Sequence, residues 1–175
     1  YWQGGNQSFG TVAEFVAVSG TLSATDIQKI ESYLAFKYGV TLDQSTNANY
    51  LATTGNMWVN DNDGYEYDIA GIGKDDCQDL HQKQSKSVNS DALVTMAVGD
   101  SIMPANADNM TSITNNLSFL SWANDNGDAT SFNTMVNASG VLSTSRLARV
   151  WKVDNINFAT QNITLNFSDY TEDTY

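Results

Sequence analysis

The feature that most constrains this chain is its texture beyond residue 50, where short apolar runs alternate with clusters of Asn, Asp and Gly. Such runs fall at 57–59, 67–72, 80–88, 92–98, 117–122, 147–153 and 161–167. They are short, and the Asx and Gly clusters between them carry turn chemistry. Many short strands separated by turns predict an antiparallel β-sandwich. The polar stretch 101–116 has no such run and is expected to be a long surface loop.

One helix signal stands ahead of the strands. Ser23 precedes Asp26 by three residues, the spacing of a capping box with Asp in place of the usual Glu. Ile27, Ile30, Leu34 and Tyr38 then recur at helical spacing, and Gly39 suits a C-terminal cap. An amphipathic helix is therefore expected over 24–38. The polar stretch 43–49 (DQSTNAN) is expected to be a linker. The division that follows is a strand plus helix over 1–42, a linker over 43–49 and a sandwich over 50–175. The fold class is mainly β: an antiparallel β-sandwich with one N-terminal amphipathic helix.

Residues 10–18 (GTVAEFVAV) carry a strand signal of their own, with apolar residues on both faces and only Glu14 interrupting them. An unpaired apolar strand is an aggregation hazard, so this one needs a partner. Three partners are open: the sandwich that follows, an upstream domain, or another molecule. In the last case Thr11, Val12, Ala13, Glu14, Phe15, Val16, Ala17 and Val18 form an edge for strand exchange.

Composition sets the outer bounds. A 41% hydrophobic content with 11% aromatics over 175 residues supports a real core. The formal charge of −12, from 20 acidic and 8 basic residues, argues against nucleic-acid binding, which needs clustered Lys and Arg. No apolar run approaches the roughly 20 residues of a membrane span. Cys77, alone in the sequence, has no intramolecular disulfide partner. An acidic, Asn/Ser/Thr-rich chain nearly free of Cys is the composition expected of a bacterial exported protein. With no initiator Met or signal peptide at Tyr1, the chain is expected to be a processed product or a fragment, its export information lying upstream.

The stretch "GTVAEFVAVSGTLSATDIQKIESYLAFKYGVTL" (10–42) resembles the end of the laminin-G/concanavalin-like lectin modules of bacterial surface proteins. There a final strand is followed by a segment like residues 22–42. What comes next resembles the uncharacterised β-sandwich that often follows such modules. The matching pieces are "IAGIGKDD" (69–76), "LHQKQSKSVNS" (80–90), "SFLSWANDNG" (118–127) and "SRLARVWKVD" (145–154). The resemblance implies a place in a long multidomain adhesin and no enzymatic activity. It transfers no catalytic or binding residue.

Candidate chemistry is sparse. The lone His81 follows Cys77 by four residues, a spacing with no mechanistic meaning in a loop-to-strand region, and one Cys with one His falls short of a zinc site. Glutamates are few and none sits in a glycosidase-like setting. Calcium is the cation that the Asx clusters would suit, since hard cations take several oxygen ligands. Three clusters qualify: Asp61 and Asp63 with Asp68; Asp75 and Asp76 with Asp79; and Asp125 with Asp128. The competing account is that Asx-rich turns bond their own backbone. Trp58, Trp122 and Trp151 are expected in the core, with Tyr1 and Trp2 exposed or packed on a neighbour. Arg146, Arg149 and Lys152 are expected on a solvated sheet face.

These readings converge on a non-catalytic extracellular module at the bacterial cell surface, structural or adhesive, with Ca2+ as a possible stiffener. Its partners would be neighbouring domains or copies of itself, with surface glycans reached through the parent protein. The alternative is the subunit of an extracellular filament assembled by strand addition, and a weaker one is a carbohydrate-binding module.

Overall fold

In the computed structural model, which describes residues 11–46, 48–130, 132–136 and 144–167, helix α1 spans Ala24–Tyr38, as its capping signals predict. The Asp26 N–H donates to Ser23 Oγ at 3.1 Å, and the Ser23 N–H donates back to the Asp26 carboxylate at 3.1 Å. Two otherwise orphaned donors are thereby satisfied. Gly39 ends the helix at φ +65°, and a Cβ there would lie 2.1 Å from the Lys86 carbonyl oxygen. Glycine is needed at that position both for its backbone angle and for the close approach.

The described strands are β1 (Tyr50–Leu51), β2 (Asn56–Trp58), β3 (Tyr67–Asp75), β4 (Leu80–Gln82), β5 (Gln84–Lys86), β6 (Val94–Val98), β7 (Ser118–Asn124), β8 (Phe132–Val136), β9 (Thr144–Leu147), β10 (Trp151–Ile156) and β11 (Ile163–Phe167). They form a four-stranded sheet β10-β7-β3-β4, a three-stranded sheet β11-β6-β5 and two hairpins, β1–β2 and β8–β9. All these strand pairs are antiparallel. The fold is mainly β, an antiparallel β-sandwich with one helix.

The run expected over 80–88 is two strands, because the chain turns a corner at Lys83 and passes from one sheet to the other. Asn106 Oδ1 accepts the Lys83 N–H at 2.6 Å, and the Lys83 carbonyl accepts the Val98 N–H at 2.8 Å. This corner closes one side of the sandwich covalently.

Strand β3 is buried from Asp68 to Gly73 and again at Asp75 because both of its faces are covered. Ala70 and Ile72 face the sandwich interior with Val94, Met96, Val98, Ile113 and Trp122. Ile69 faces the other way, into a second core with Phe36 of α1, Tyr50, Met57, Trp58 and Phe119. Glycines make room on that second face. A Cβ at Gly71 would meet the Phe36 ring at 2.3 Å, and one at Gly73 would meet the Phe119 ring at 2.3 Å. The two rings stack edge to face, 5.6 Å apart with an 82° interplanar angle.

Helix α1 therefore shares its core with the strands that follow. The stretch 43–49, expected as a linker, is bonded into the same layer, apart from Asn47, which lies outside the described residues. Asn60 donates its side-chain amide to Gln44 and its N–H to Asn49 Oδ1, while Gln28 donates to the Asn49 carbonyl. Tyr50 Oη accepts the Leu42 N–H at 2.7 Å and bonds the Val40 carbonyl at 3.1 Å.

The strand expected over 10–18 is not formed within this chain. Residues 11–18 bend at Ala13 and enter no ladder; Gly10 lies outside the described residues, as do Tyr1 and Trp2. The apolar pattern is real, but a strand requires a partner edge, which these residues do not find here.

Candidate functional site

The three Asx clusters are built as fasteners. In the first, Asp61 and Asp63 both accept from Lys152 Nζ, at 2.9 and 2.8 Å, and that ammonium lies 5.3 Å from the centre of the Trp58 ring. The bond from Lys152 holds the Asp63 carboxyl below its ordinary range. In the second, the buried Asp75 accepts from the Thr53 N–H at 2.7 Å, the Thr53 hydroxyl at 3.0 Å and the Cys77 N–H at 3.1 Å. Asp76 pairs with Lys74 at 3.1 Å, and Asp79 closes the short 3-10 turn Asp76–Gln78 at φ +51°. In the third, Asp125 accepts from the N–H groups of Gly127 and Val150, and Asp128 from the N–H and hydroxyl of Thr130. Among the described residues, no group of three or more His, Cys, Asp and Glu is placed to hold a metal ion.

Asp68 stands apart from its expected cluster. It is buried at φ +54°, accepting from Asn89 at 2.7 Å and Asn124 at 2.6 Å, with Arg149 at 3.4 Å. Arg149, expected on a solvated face, is buried too. Its guanidinium donates to the Gly127 carbonyl, the Asp91 carbonyl and the Asp91 carboxylate, at 2.8, 2.9 and 2.9 Å. The correction has a physical cause: a planar fork of five donors can satisfy several acceptors at once, so Arg is the cation best suited to burial. A Cβ at Gly127 would come within 2.8 Å of the Arg149 backbone, so the turn packs directly on this residue. The network ties together β3, the 89–91 turn, the end of β7 and the approach to β10.

His81 is also structural. Its Nε2 accepts the Ile113 N–H at 3.1 Å, and its carbonyl accepts from Asn106 at 2.9 Å. Desolvation, with smaller contributions from Lys83 and Lys74, holds its pKa below the ordinary value. Lys83 Nζ donates to the Asn109 carbonyl and Asn109 to the Val98 carbonyl, so the expected loop 101–116 is strapped across the sandwich. Cys77 is exposed. Trp58 and Trp122 are buried as expected, while the half-buried Trp151 stacks edge to face on Phe167 with ring centres 5.6 Å apart.

The expected exchange edge is held by its one charged residue. Glu14 accepts from Tyr33 at 3.1 Å, Lys37 at 2.9 Å and Tyr38 at 2.8 Å, all on α1. The bond from Lys37, then that from Tyr38, lowers the Glu14 pKa, while Glu14 raises that of Lys37. Around this anchor the apolar side chains stay uncovered: Val12 is 81% exposed and Phe15 85%, with Val16 and Val18 about half-exposed. Between the segment and α1 runs an apolar groove of about 430 Å3, lined in part by Ala13, Leu34, Tyr38 and Leu42. The sequence marked Glu14 as an interruption of a strand; the residue is its tether.

Among the described residues, no helix is long and apolar enough to cross a membrane. Residues 26–175 match a family model described as a domain of unknown function, DUF8202. No curated protein and no solved structure matches the chain.

Proposed function

We propose that this chain, which belongs to the DUF8202 family of domains of unknown function, is a non-catalytic structural or adhesive module of an exported bacterial surface protein. The observation that carries the reading is the use made of its polar residues. The Asx clusters and Arg149 bind turns and loops to strands, and such bonds make a sandwich whose loops are held rather than free to grip a substrate. The acidic, cysteine-poor composition and the resemblance to adhesin sandwiches support an extracellular setting. Its mechanism is presentation: a rigid body spacing or displaying the domains beside it.

Thermal melting and a glycan array test this. The reading expects one cooperative transition and no glycan retained by the isolated chain. Retention that disappears in Trp151→Ala would replace it with a carbohydrate-binding role. Calcium enters the same experiment. The lysine and backbone bonds to the Asp clusters predict an unchanged melting temperature in EDTA; a fall on chelation restored by Ca2+ would assign the stiffening to a cation.

A second reading has its own support. Residues 11–18 present exposed apolar side chains on a backbone that enters no ladder, which favours a subunit that joins its neighbours by strand addition.

A further inference from the structure

We infer that the acceptor for residues 11–18 is the open side of the sandwich, between β10 and β11, on a second copy of the chain; this rests on the strand-addition reading. Strands β10 and β11 are consecutive, joined by residues 157–162, yet β10 pairs with β7 and β11 with β6. Each is an edge strand among the described residues.

The side chains there show what is missing. Leu165 lies opposite Met96, Phe167 opposite Val94, and Val153 opposite Trp122. Those three partners are buried in the inner core, and directly opposed residues of an antiparallel pair share a face. Val153, Leu165 and Phe167 therefore point toward the sandwich interior, yet they are 51%, 53% and 48% exposed. The Lys83 corner closes the other side; on this side β10 and β11 meet through the Trp151 and Phe167 rings, 5.6 Å apart, while Val153 and Leu165 stay half-exposed beyond that contact. One more extended strand would pair with a free edge and cover these apolar side chains.

The described segment with matching chemistry is 11–18. Eight residues span roughly 26 Å as a strand, enough for the length of either edge. A net charge of −12 opposes self-association in general, so a contact between copies needs locally neutral surfaces. Both surfaces meet that need. Glu14, the charged residue of the segment, is paired with Lys37, while Lys152 and Asp154 alternate onto the opposite face of β10 from Val153. Within one molecule the segment is pinned to α1, on the far side of the four-stranded sheet from β11-β6-β5. Donor and acceptor are thus different surfaces, and their contact propagates head to tail.

The test is sedimentation and negative-stain microscopy of the whole chain, with the donor variant Phe15→Asp and the acceptor variant Leu165→Lys. The wild type is expected to form concentration-dependent chains, and each variant alone to run as a monomer. Mixing the two variants restores one intact donor and one intact acceptor, so it should give heterodimers and nothing longer. Wild-type chains that persist in Leu165→Lys would overturn this acceptor and leave strand addition standing. A wild type that stays monomeric at millimolar concentration would overturn both, and the fold of each variant is verified by an unchanged melting curve.

Discussion

The Arg149 guanidinium ties together three segments, at residues 68, 91 and 127, and its removal would strand a charge. Asp68 lies behind it, buried, with two amide donors but no other cation within ion-pairing distance among the described residues. Arg149→Met is expected to destabilise the fold by about 3–5 kcal/mol, because truncating one partner leaves the other charge uncompensated. Adding Asp68→Asn should recover part of that loss, since Asn tolerates the left-handed angle and carries no charge. Urea melts of the single and double variants give the comparison, and equal stabilities would refute the account. His81 makes a pH-dependent contribution. Its folded pKa lies below 6.5, so the native state binds fewer protons than the unfolded chain in that window. Its share of stability is present above pH about 6.5 and declines as pH falls through that value toward the folded pKa. His81→Gln should lack this component while other acid-sensitive groups remain, so the variant's melting temperature should fall less steeply between pH 7 and 5.

At the scale of elements, what could be foreseen depended on how local its determinants are. Helix α1 was legible to the residue because Ser23, Asp26 and Gly39 carry its caps within its own span. The corner at Lys83 was not, since Asn106, 23 residues away, bonds it there. Strand β1 has two residues and no pattern to detect. The 11–18 run has the apolar character of a strand, but a ladder is a property of two edges and only one is written in that stretch. Arg149 was misplaced for a related reason, because its acceptors come from residues 68, 91 and 127. The paired glycines of β3 yield a prediction. Gly73→Ala would push a Cβ within 2.8 Å of the Ser118 carbonyl and 2.3 Å of the Phe119 ring, and overpacking of this kind costs about 1–3 kcal/mol. A melting temperature unchanged by Gly73→Ala would show that β7 can yield.

Across the whole molecule, β3 makes the two cores one cooperative unit. The helix core and the sandwich core lie on its opposite faces, so neither opens without exposing the strand that carries the other. Phe36→Ala, in the helix core, should cost about 3–5 kcal/mol and lower a single shared transition. In a Trp58→Phe background, where Trp122 and Trp151 report the sandwich core, helix signal and tryptophan fluorescence should melt together; a separate early loss of helix would show two independent units. The position of β3 also has a consequence in time. Its ladder to β7 joins residues near 70 to residues near 120, and β7 is in turn flanked by β10 at 151–156. A chain emerging from a ribosome thus presents β3, with only the short neighbour β4 close behind it, long before β7 arrives. Until then the helix layer and β4 can cover one face of β3, and the face that meets the sandwich core waits in the open. Such an order of arrival leaves an apolar strand face open to aggregation until β6 and β7 follow.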